Sequence, residues 1–198
     1  MIAIVDYDAG NLTSVKKAME YLRVPAAITA EPDSVMKADK IILPGVGHFA
    51  ATANLDASGM KTAIRQRIEQ GAPFLGICLG MQWLFESSEE APWALGLGLL
   101  WGKCERFSAT VKSPHVGWNS LRITNGSRLL AGVAPGSFVY FTHSFRVPLV
   151  PATSARCDYG GDFSAAVEKD NAFGVQFHPE KSGVAGLQVL RNFCELPC

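Results

Sequence analysis

The feature that most constrains the fold is a short apolar run that ends at a cysteine between two glycines, Gly76-x-Cys78-x-Gly80. Helix-spaced apolar residues follow as far as Phe85, so the stretch predicts a strand, a sharp turn and a helix. Flanking glycines let the strand and helix backbones approach closely, as in a nucleophile elbow. The free N–H groups at the start of the helix would favour a thiolate at Cys78. The alternative is a structural cysteine, since free cysteines are commonly buried.

The first half of the chain alternates strand-like and helix-like segments. We expect an α/β fold with an open, mostly parallel sheet and helices on both faces, where sites form beyond the carboxyl ends of the strands. Asn11 is the expected N-cap of the first helix. The predicted strands are residues 2–6, 26–29 and 40–43, and the predicted helices are residues 12–22, 32–38 and 59–70.

The second half has a β-rich texture and predicts additional antiparallel strands, which extend the sheet or form a smaller one. Turn signals occur at Asn125-Gly126 and at residues 169–171. A final strand at 172–177 and a helix at 184–195 complete the prediction. The other predicted strands are residues 99–110, 119–123, 137–141 and 164–167.

Composition limits the classes of function. The 198 residues are 48% hydrophobic, which suits one domain, 1–198. Basic and acidic residues both total 18, so global charge favours neither nucleic acid nor an anionic membrane. The odd set of five cysteines indicates reduced thiols and a cytoplasmic protein, and Cys194 and Cys198 lack further zinc ligands nearby. No secretion signal or membrane-spanning run is recognised, so we expect a soluble protein that is not exported.

The predicted final strand leads into His178-Pro179-Glu180. Residues two apart in an extended segment face the same way, so His178 and Glu180 can face one site. His178 could take the proton of the Cys78 thiol, and Glu180 could orient the imidazole. Singly, a core histidine and a helix-start carboxylate are adequate alternatives, but the combination with the cysteine elbow is much more specific.

Acyl transfer to a thiol also needs an oxyanion hole, because charge develops on the carbonyl oxygen. One expected donor is the backbone N–H of Leu79, the residue after the cysteine. A second is an amide of the loop Pro44-Gly45-Val46-Gly47, where Val46 and Gly47 are the candidates. An ordinary glycine-rich turn is an equally good interpretation of that loop.

The elbow and His178-Pro-Glu180 together resemble the class I (triad) glutamine amidotransferases, which have a flavodoxin-like fold and release ammonia from glutamine. Further blocks resemble the glutaminase subunits of imidazole glycerol phosphate synthase and cover nearly the whole chain. These blocks are Asp6-Tyr7-x-x-Gly10-Asn11-Leu12-x-Ser14, Pro44-Gly-Val-Gly47-x-Phe49, Pro114-His115-x-Gly117-Trp118-Asn119, Tyr140-Phe-x-His143-Ser144 and Phe177-His-Pro-Glu-Lys-Ser182.

The resemblance implies a role for several residues. Cys78, His178 and Glu180 would form the triad. Glutamine would be held by Gln82, Glu90, Ser144 and the Gly47 loop.

The chemistry agrees with these substrate roles, since the substrate's ammonium needs a carboxylate and its carboxylate needs donors. Glu90 could equally be a solvated charge, and Ser144 a turn residue. The chain departs from the family pattern at Asp8, where glycine is common, and at Phe145, where tyrosine is common. Residue 145 can therefore act only through its backbone.

The resemblance implies no cofactor and one protein partner. The partner is a (β/α)8-barrel cyclase in a heterodimer, which joins the ammonia to a phosphorylated intermediate in histidine biosynthesis. The products are imidazole glycerol phosphate and an aminoimidazole carboxamide ribotide. Interface candidates are Asn11, Trp118, Tyr140 and Lys181, although Trp118 could be a half-buried core residue. We hypothesise that the loop at Val46 and Gly47 reaches its productive orientation only when the partner binds its own substrate.

Three alternatives remain at this stage. The chain could be a glutaminase that serves another synthase, such as anthranilate or pyridoxal phosphate synthase. It could be a catalytically silent interaction subunit. It could also be a cysteine peptidase on a similar scaffold, which Gln82 and Glu90 make less attractive.

Overall fold

The computed structural model describes residues 1–124 and 126–197. The strands in that part of the chain are β1 Ile2–Val5, β2 Ala26–Thr29, β3 Lys40–Gly45, β4 Phe74–Cys78, β5 Ser87–Ser88, β6 Lys103–Arg106, β7 His115–Ser120, β8 Arg122–Ile123, β9 Phe138–His143, β10 Phe145–Arg146, β11 Thr153–Asp158, β12 Asp162–Lys169 and β13 Ala172–Val175. The helices are α1 Leu12–Tyr21, α2 Pro32–Met36, α3 Ala53–Ala57, α4 Met60–Glu69, α5 Leu79–Gln82 and α6 Gly183–Glu195. Short 3₁₀ turns occur at Phe49–Thr52 and Pro179–Lys181.

The main sheet has eight strands in the order β2-β1-β3-β4-β13-β12-β11-β8. The five strands from β2 to β13 are paired in parallel, and β12, β11 and β8 continue the sheet with antiparallel pairs. The predicted open, mostly parallel sheet with added antiparallel strands is confirmed.

Both faces of the sheet are apolar. Successive side chains of a strand point to opposite faces, and in this sheet both sets of side chains are apolar. In β1, Ile2 and Ile4 belong to one core, and Ala3 and Val5 to the other. Helices α1 and α6 pack on the first face, while α2, α3 and α4 pack on the second. The predicted covering of both faces is therefore also confirmed.

The helix ends of the first half follow their sequence signals. The side chain of Asn11 accepts a hydrogen bond from the N–H of Ser14 over 3.3 Å, so it caps α1 as predicted. Asp8 has a φ of 63°, the left-handed region that glycine occupies most readily, which accounts for the glycine common at this position in the family.

The second half differs from prediction in detail. The strand predicted at 99–110 is wrong in extent, since only Lys103–Arg106 is extended. The strand predicted at 119–123 is divided between β7 and β8, and β11 was not predicted. For β6 and β7 the reason is their pairing. In the described part of the chain β6 lies in a small sheet with β5 and β10, and β7 pairs with β9 alone, so the lengths of β6 and β7 depend on distant partners.

The two predicted turns of this half have different outcomes. Asn125 lies outside the described residues. Asp170 and Asn171 form the turn between β12 and β13, as predicted.

Candidate functional site

The candidate site lies beyond the carboxyl ends of three adjacent parallel strands, β3, β4 and β13. Gly45 at the end of β3 is in register with Cys78 at the end of β4. Strand β13 ends at Val175, and the chain continues directly to His178. This edge of a parallel sheet is where ligands bind in open α/β folds.

Cys78 occupies the sharp turn between β4 and α5. Its backbone has φ 53° and ψ −104°, a strained conformation for a residue other than glycine, and the residue is 5% exposed. A Cβ on Gly80 would lie 1.9 Å from the carbonyl oxygen of Leu43, and one on Gly76 would lie 2.4 Å from that of Gly80. The two glycines are therefore required for the close approach of strand and helix.

His178 and Glu180 form a buried pair beside this turn. Nδ1 of His178 lies 2.8 Å from Oε1 of Glu180, and both side chains are almost completely buried. Because an ionised carboxylate only accepts, Nδ1 carries the hydrogen of this bond. Nε2 is left as the nitrogen that can exchange a proton, and it has no aligned hydrogen-bond partner among the described residues.

Cys78 and Glu180 together hold a positive charge on His178. Burial lowers the pKa of the imidazole, but the interactions with the Cys78 sulfur and the Glu180 carboxylate outweigh burial and raise the pKa to about 10. The environment therefore favours an imidazolium next to the sulfur. The structure brings the three residues of the predicted triad together.

Two further groups contact the sulfur of Cys78. Nε2 of Gln176 donates to Sγ over 3.5 Å, and Sγ lies 3.9 Å from the carbonyl oxygen of Thr142. Sequence reasoning missed Gln176, although it precedes His178 by two residues. The period-two argument used for His178 and Glu180 also places Gln176 on the side of the site.

The predicted oxyanion residues lie on both sides of the cysteine. Leu79 is the buried first residue of α5, and Val46 and Gly47 follow the end of β3. Gly47 is exposed and has a φ of 112°, and a Cβ there would meet no atom within 4 Å. The loop thus has room for a change of peptide orientation.

Tyr7 lies behind this loop. A Cβ on Gly45 would be 2.2 Å from the Tyr7 hydroxyl, so only glycine fits there. Burial, and after it the charge of Cys78, raise the pKa of the Tyr7 phenol far above its ordinary value, so the phenol remains protonated.

Glu90, one of the three other predicted substrate residues, forms a hydrogen bond just beyond the loop that holds Val46 and Gly47. Its Oε2 accepts from the backbone N–H of Phe49 over 2.7 Å, two residues beyond Gly47, and the residue is half-buried. Ser144 is also half-buried and lies between β9 and β10. Both residues retain side-chain oxygens for a ligand.

Gln82, the third of these predicted substrate residues, is buried, and its side-chain amide nitrogen donates two hydrogen bonds. Nε2 donates to the carbonyl oxygen of Phe145 over 3.0 Å and to Oε1 of Gln176 over 3.1 Å. The carbonyl Oε1 of Gln82 remains as an acceptor. The group of residue 145 that contacts Gln82 is therefore a backbone carbonyl.

Three of the four interface candidates form one surface patch. Trp118 is 55% exposed and meets the ring of Tyr140 edge-on, with centroids 6.1 Å apart. Nζ of Lys181 lies 5.7 Å from the centre of the Tyr140 ring. We call Trp118, Tyr140 and Lys181 the aromatic patch. Asn11 is half-buried and caps α1.

Neither a metal site nor a membrane span is found in the described residues. No group of three or more His, Cys, Asp or Glu side chains is arranged to hold a metal ion. None of the described helices has the length and apolar character needed to cross a bilayer.

Comparison with known proteins agrees with this geometry. The family model "Glutamine amidotransferase class-I" matches residues 3–196. Curated relatives named imidazole glycerol phosphate synthase subunit HisH include one from Methanosarcina acetivorans, 47% identical with 98% of each chain covered. The one from Methanocaldococcus jannaschii is 46% identical over 99% of this chain and 100% of its own. The chain belongs to the HisH family of class-I glutamine amidotransferases.

Solved structures share the fold of this HisH-family chain. A structure titled "Crystal structure of glutamine amidotransferase" has a TM-score of 0.77 at 20% identity and covers 98% of both chains. A chain of the structure titled "Structure of PurLQS from Thermotoga maritima" has a TM-score of 0.76 at 22% identity, covering 97% of this chain and 96% of that one. At these identities the likeness supports the fold of the HisH-family chain alone.

Proposed function

We propose that this chain hydrolyses glutamine to glutamate and ammonia through a thioester on Cys78, for use by the cyclase subunit of an imidazole glycerol phosphate synthase. The observation that carries the proposal is an elbow cysteine beside a buried His178–Glu180 pair, in a chain 46–47% identical to HisH relatives. The products of that synthase, imidazole glycerol phosphate and an aminoimidazole carboxamide ribotide, belong to histidine biosynthesis. We treat residues 1–198 as one domain.

The first half of the reaction acylates the cysteine. The Cys78 thiolate attacks the side-chain carbonyl carbon of glutamine, forming a C–S bond, and the oxygen becomes an oxyanion. The C–N bond then breaks as Nε2 of His178 gives its proton to the departing nitrogen, which leaves as ammonia. The raised pKa of His178 suits this step because it keeps the imidazole protonated.

The second half releases glutamate. His178, now neutral, takes a proton from water, and the resulting hydroxide attacks the thioester carbonyl. The C–S bond breaks, glutamate leaves and the Cys78–His178 pair is restored. Glu180 stabilises the imidazolium in both halves through its 2.8 Å contact with Nδ1.

The remaining predicted residues bind the substrate and its oxyanion. We assign the oxyanion to the N–H of Leu79 and an amide of Val46 or Gly47. Glu90 pairs with the substrate's ammonium, and Ser144 donates to its carboxylate. The Oε1 atom of Gln82 accepts from a donor of the substrate, since its own amide hydrogens already bond to Phe145 and Gln176.

We assign the cyclase reaction to a (β/α)8-barrel subunit. This subunit would dock on the aromatic patch and Asn11 and form a heterodimer with the chain. Free ammonia becomes ammonium in bulk water and loses its nucleophilicity, so the two sites need a shielded path. Tryptophan and tyrosine are typical anchors of interface cores. The exposed Gly47 follows the carboxyl end of β3, and Lys181 of the aromatic patch lies beyond the carboxyl end of the parallel strand β13. This shared end of the sheet supports the idea that a loop amide turns toward the oxyanion when the cyclase holds its own substrate.

The test is glutaminase activity of the isolated chain and of its complex with a barrel cyclase, with and without the cyclase's ligand. We expect low activity alone, strong stimulation in the liganded complex, and formation of imidazole glycerol phosphate from glutamine. Cys78→Ala should abolish glutamine-dependent turnover, while the complex still uses free ammonia. Equal glutaminase rates with and without the liganded partner would contradict the loop hypothesis.

The same assays distinguish the alternatives. A silent interaction subunit would form no thioester with a glutamine analogue and lose nothing in Cys78→Ala. A glutaminase of another synthase would hydrolyse glutamine without stimulation by the cyclase. A peptidase would cleave peptides in preference to glutamine.

A further inference from the structure

Gln176 connects the sulfur of Cys78 to a buried network of hydrogen bonds. Its side chain is completely buried. Nε2 donates to Sγ of Cys78 over 3.5 Å, and Oε1 accepts from Nε2 of Gln82 over 3.1 Å. The amide of Gln176 is thus bonded at both of its ends.

The surroundings determine which end of this amide faces the sulfur. The carbonyl oxygen of Phe145 can only accept, so the atom of Gln82 that lies 3.0 Å away must be its nitrogen. That nitrogen also contacts the Gln176 amide, and there it must meet an oxygen. Nε2 of Gln176 is therefore directed at Sγ, and a flipped amide would lose the bond to Gln82.

The carbonyl of Phe145 is itself held by a chain of neutral rings. It accepts from Nδ1 of His143 over 2.8 Å, and Nε2 of His143 then accepts from Nδ1 of His115 over 3.1 Å. Asn119 of β7 lies 3.5 Å from the other nitrogen of His115. Burial lowers the pKa of His115 to about 4 and that of His143 to about 3, so each ring has one donor and one acceptor nitrogen.

We propose that Gln176 is a positioning residue of the nucleophile, whose amide N–H holds Sγ of Cys78 in place and stabilises the thiolate. A neutral donor can do this without exchanging a proton, so it does not compete with His178. The effect on turnover rests on the proposed glutaminase function, but the effect on the thiol does not.

The local structure explains why such a donor is needed. Helix α5 is a single turn, Leu79–Gln82, so the dipole behind the sulfur is small. The carbonyl oxygen of Thr142 lies 3.9 Å from Sγ, and its partial negative charge disfavours a thiolate. The Gln176 amide offsets this carbonyl, and the bond to Gln82 keeps its nitrogen directed at the sulfur.

The test measures the rate of iodoacetamide alkylation at Cys78 against pH, followed by peptide mass spectrometry. Gln176→Met keeps the length and removes the donor. Gln176→Glu keeps an oxygen for Gln82 and places a second oxygen against Sγ. The control is Gln188→Met on α6, because the side chain of Gln188 bonds only to that of Asn192 among the described residues.

We expect the pH of half-maximal alkylation to rise by about one to two pH units in Gln176→Met, because a hydrogen bond to a charged group is lost. The rise should be larger in Gln176→Glu and absent in Gln188→Met. In the cyclase complex, kcat should fall about tenfold in Gln176→Met, and kcat should change more than KM, because the lost donor acts on the nucleophile. A purely structural role predicts a lower melting temperature with an unchanged alkylation profile.

Unchanged alkylation profiles in both Gln176 variants would overturn the inference, as would an equal shift in Gln188→Met. If neither variant folds, the wild-type protein serves, since the side-chain amide resonances of Gln176 should move in NMR as Cys78 ionises. Resonances that do not move would also overturn it. Absence of glutaminase activity with a shifted alkylation profile would reject the proposed function and leave this inference standing.

Discussion

The backbone N–H of His178 donates a hydrogen bond to the carbonyl oxygen of Tyr140 over 2.9 Å. The N–H of Tyr140 in turn donates to the hydroxyl of Ser182, which donates to the carbonyl oxygen of His178. The candidate base is therefore bonded to the strand that carries the aromatic patch. A partner docked on Tyr140 lies one backbone hydrogen bond away from His178.

We predict that Glu180→Gln moves the alkaline limb of the pH–rate profile to lower pH. The carboxylate helps to hold the pKa of His178 above its ordinary value, so its removal lets the imidazolium lose its proton earlier. Since the imidazolium protonates the departing ammonia, kcat should also fall, by about a hundredfold. The measurement is kcat of the cyclase complex from about pH 6 to about pH 10.

Glu195→Gln is the control for that prediction, because Glu195 is an exposed residue at the end of α6. It should leave the profile unchanged. An alkaline limb that stays in place in Glu180→Gln would show that the carboxylate does not support the charge on His178.

Trp118→Ala should weaken binding of the cyclase by about tenfold or more, because exposed tryptophans at interface centres are typical anchors. The free energy of unfolding should change little, since the side chain is more than half exposed. Titration calorimetry with the cyclase measures the dissociation constant. Trp101→Ala is the matched control, as Trp101 is 82% exposed and lies outside the aromatic patch, and an equal loss in both variants would argue against the assigned surface.

Gly80→Ala should destabilise the protein by about 3 kcal/mol or more, or prevent folding. The added Cβ would lie 1.9 Å from the carbonyl oxygen of Leu43, and backbone must move to relieve the contact. Gly126→Ala is the control, because a Cβ there meets nothing within 4 Å. Urea denaturation of both variants measures the difference, and equal midpoints would contradict the close approach at the elbow.

Acid should destabilise the protein through the buried pair His115 and His143. Their pKa values are lowered to about 4 and about 3, so the unfolded chain binds more protons than the folded one below the ordinary pKa of 6.5. Their contribution is complete above pH 6.5 and is lost as pH falls toward 4. We expect the free energy of unfolding to fall by about 6 kcal/mol over that window, about 3 kcal/mol from each ring, measured by denaturant titration at each pH.

Two variants test the cause of the acid effect, with His143→Gln as the test and His48→Gln as the control. His143→Gln removes one of the two buried rings and should reduce the pH dependence of unfolding. His48 is exposed, and His48→Gln should leave the dependence unchanged. The same slope in all three proteins would mean that the buried pair is not the cause.

Much of the site could be predicted because its signals are local. The elbow needs Gly76 and Gly80 within two residues of Cys78, and His178 and Glu180 lie two residues apart on one chain segment. Strands β1 to β4 and helices α1, α2 and α4 agree with prediction within a few residues for the same reason, since apolar periodicity and the Asn11 cap act over short distances. The short helix α3 was not predicted. The small sheets were harder, because β6 and β7 have their extent set by partners far along the chain.

Residue types and short spacings were enough to define the α/β class and the family, and to predict a candidate nucleophile and its base. Only the tertiary structure determines which hydrogen-bond partner each buried polar group has. Gln82 and Gln176 are 94 positions apart, and their bond exists only because β4 and β13 lie side by side in the sheet. The direction of a buried amide follows from the acceptors around it, and those acceptors come from segments that pattern and propensity do not connect.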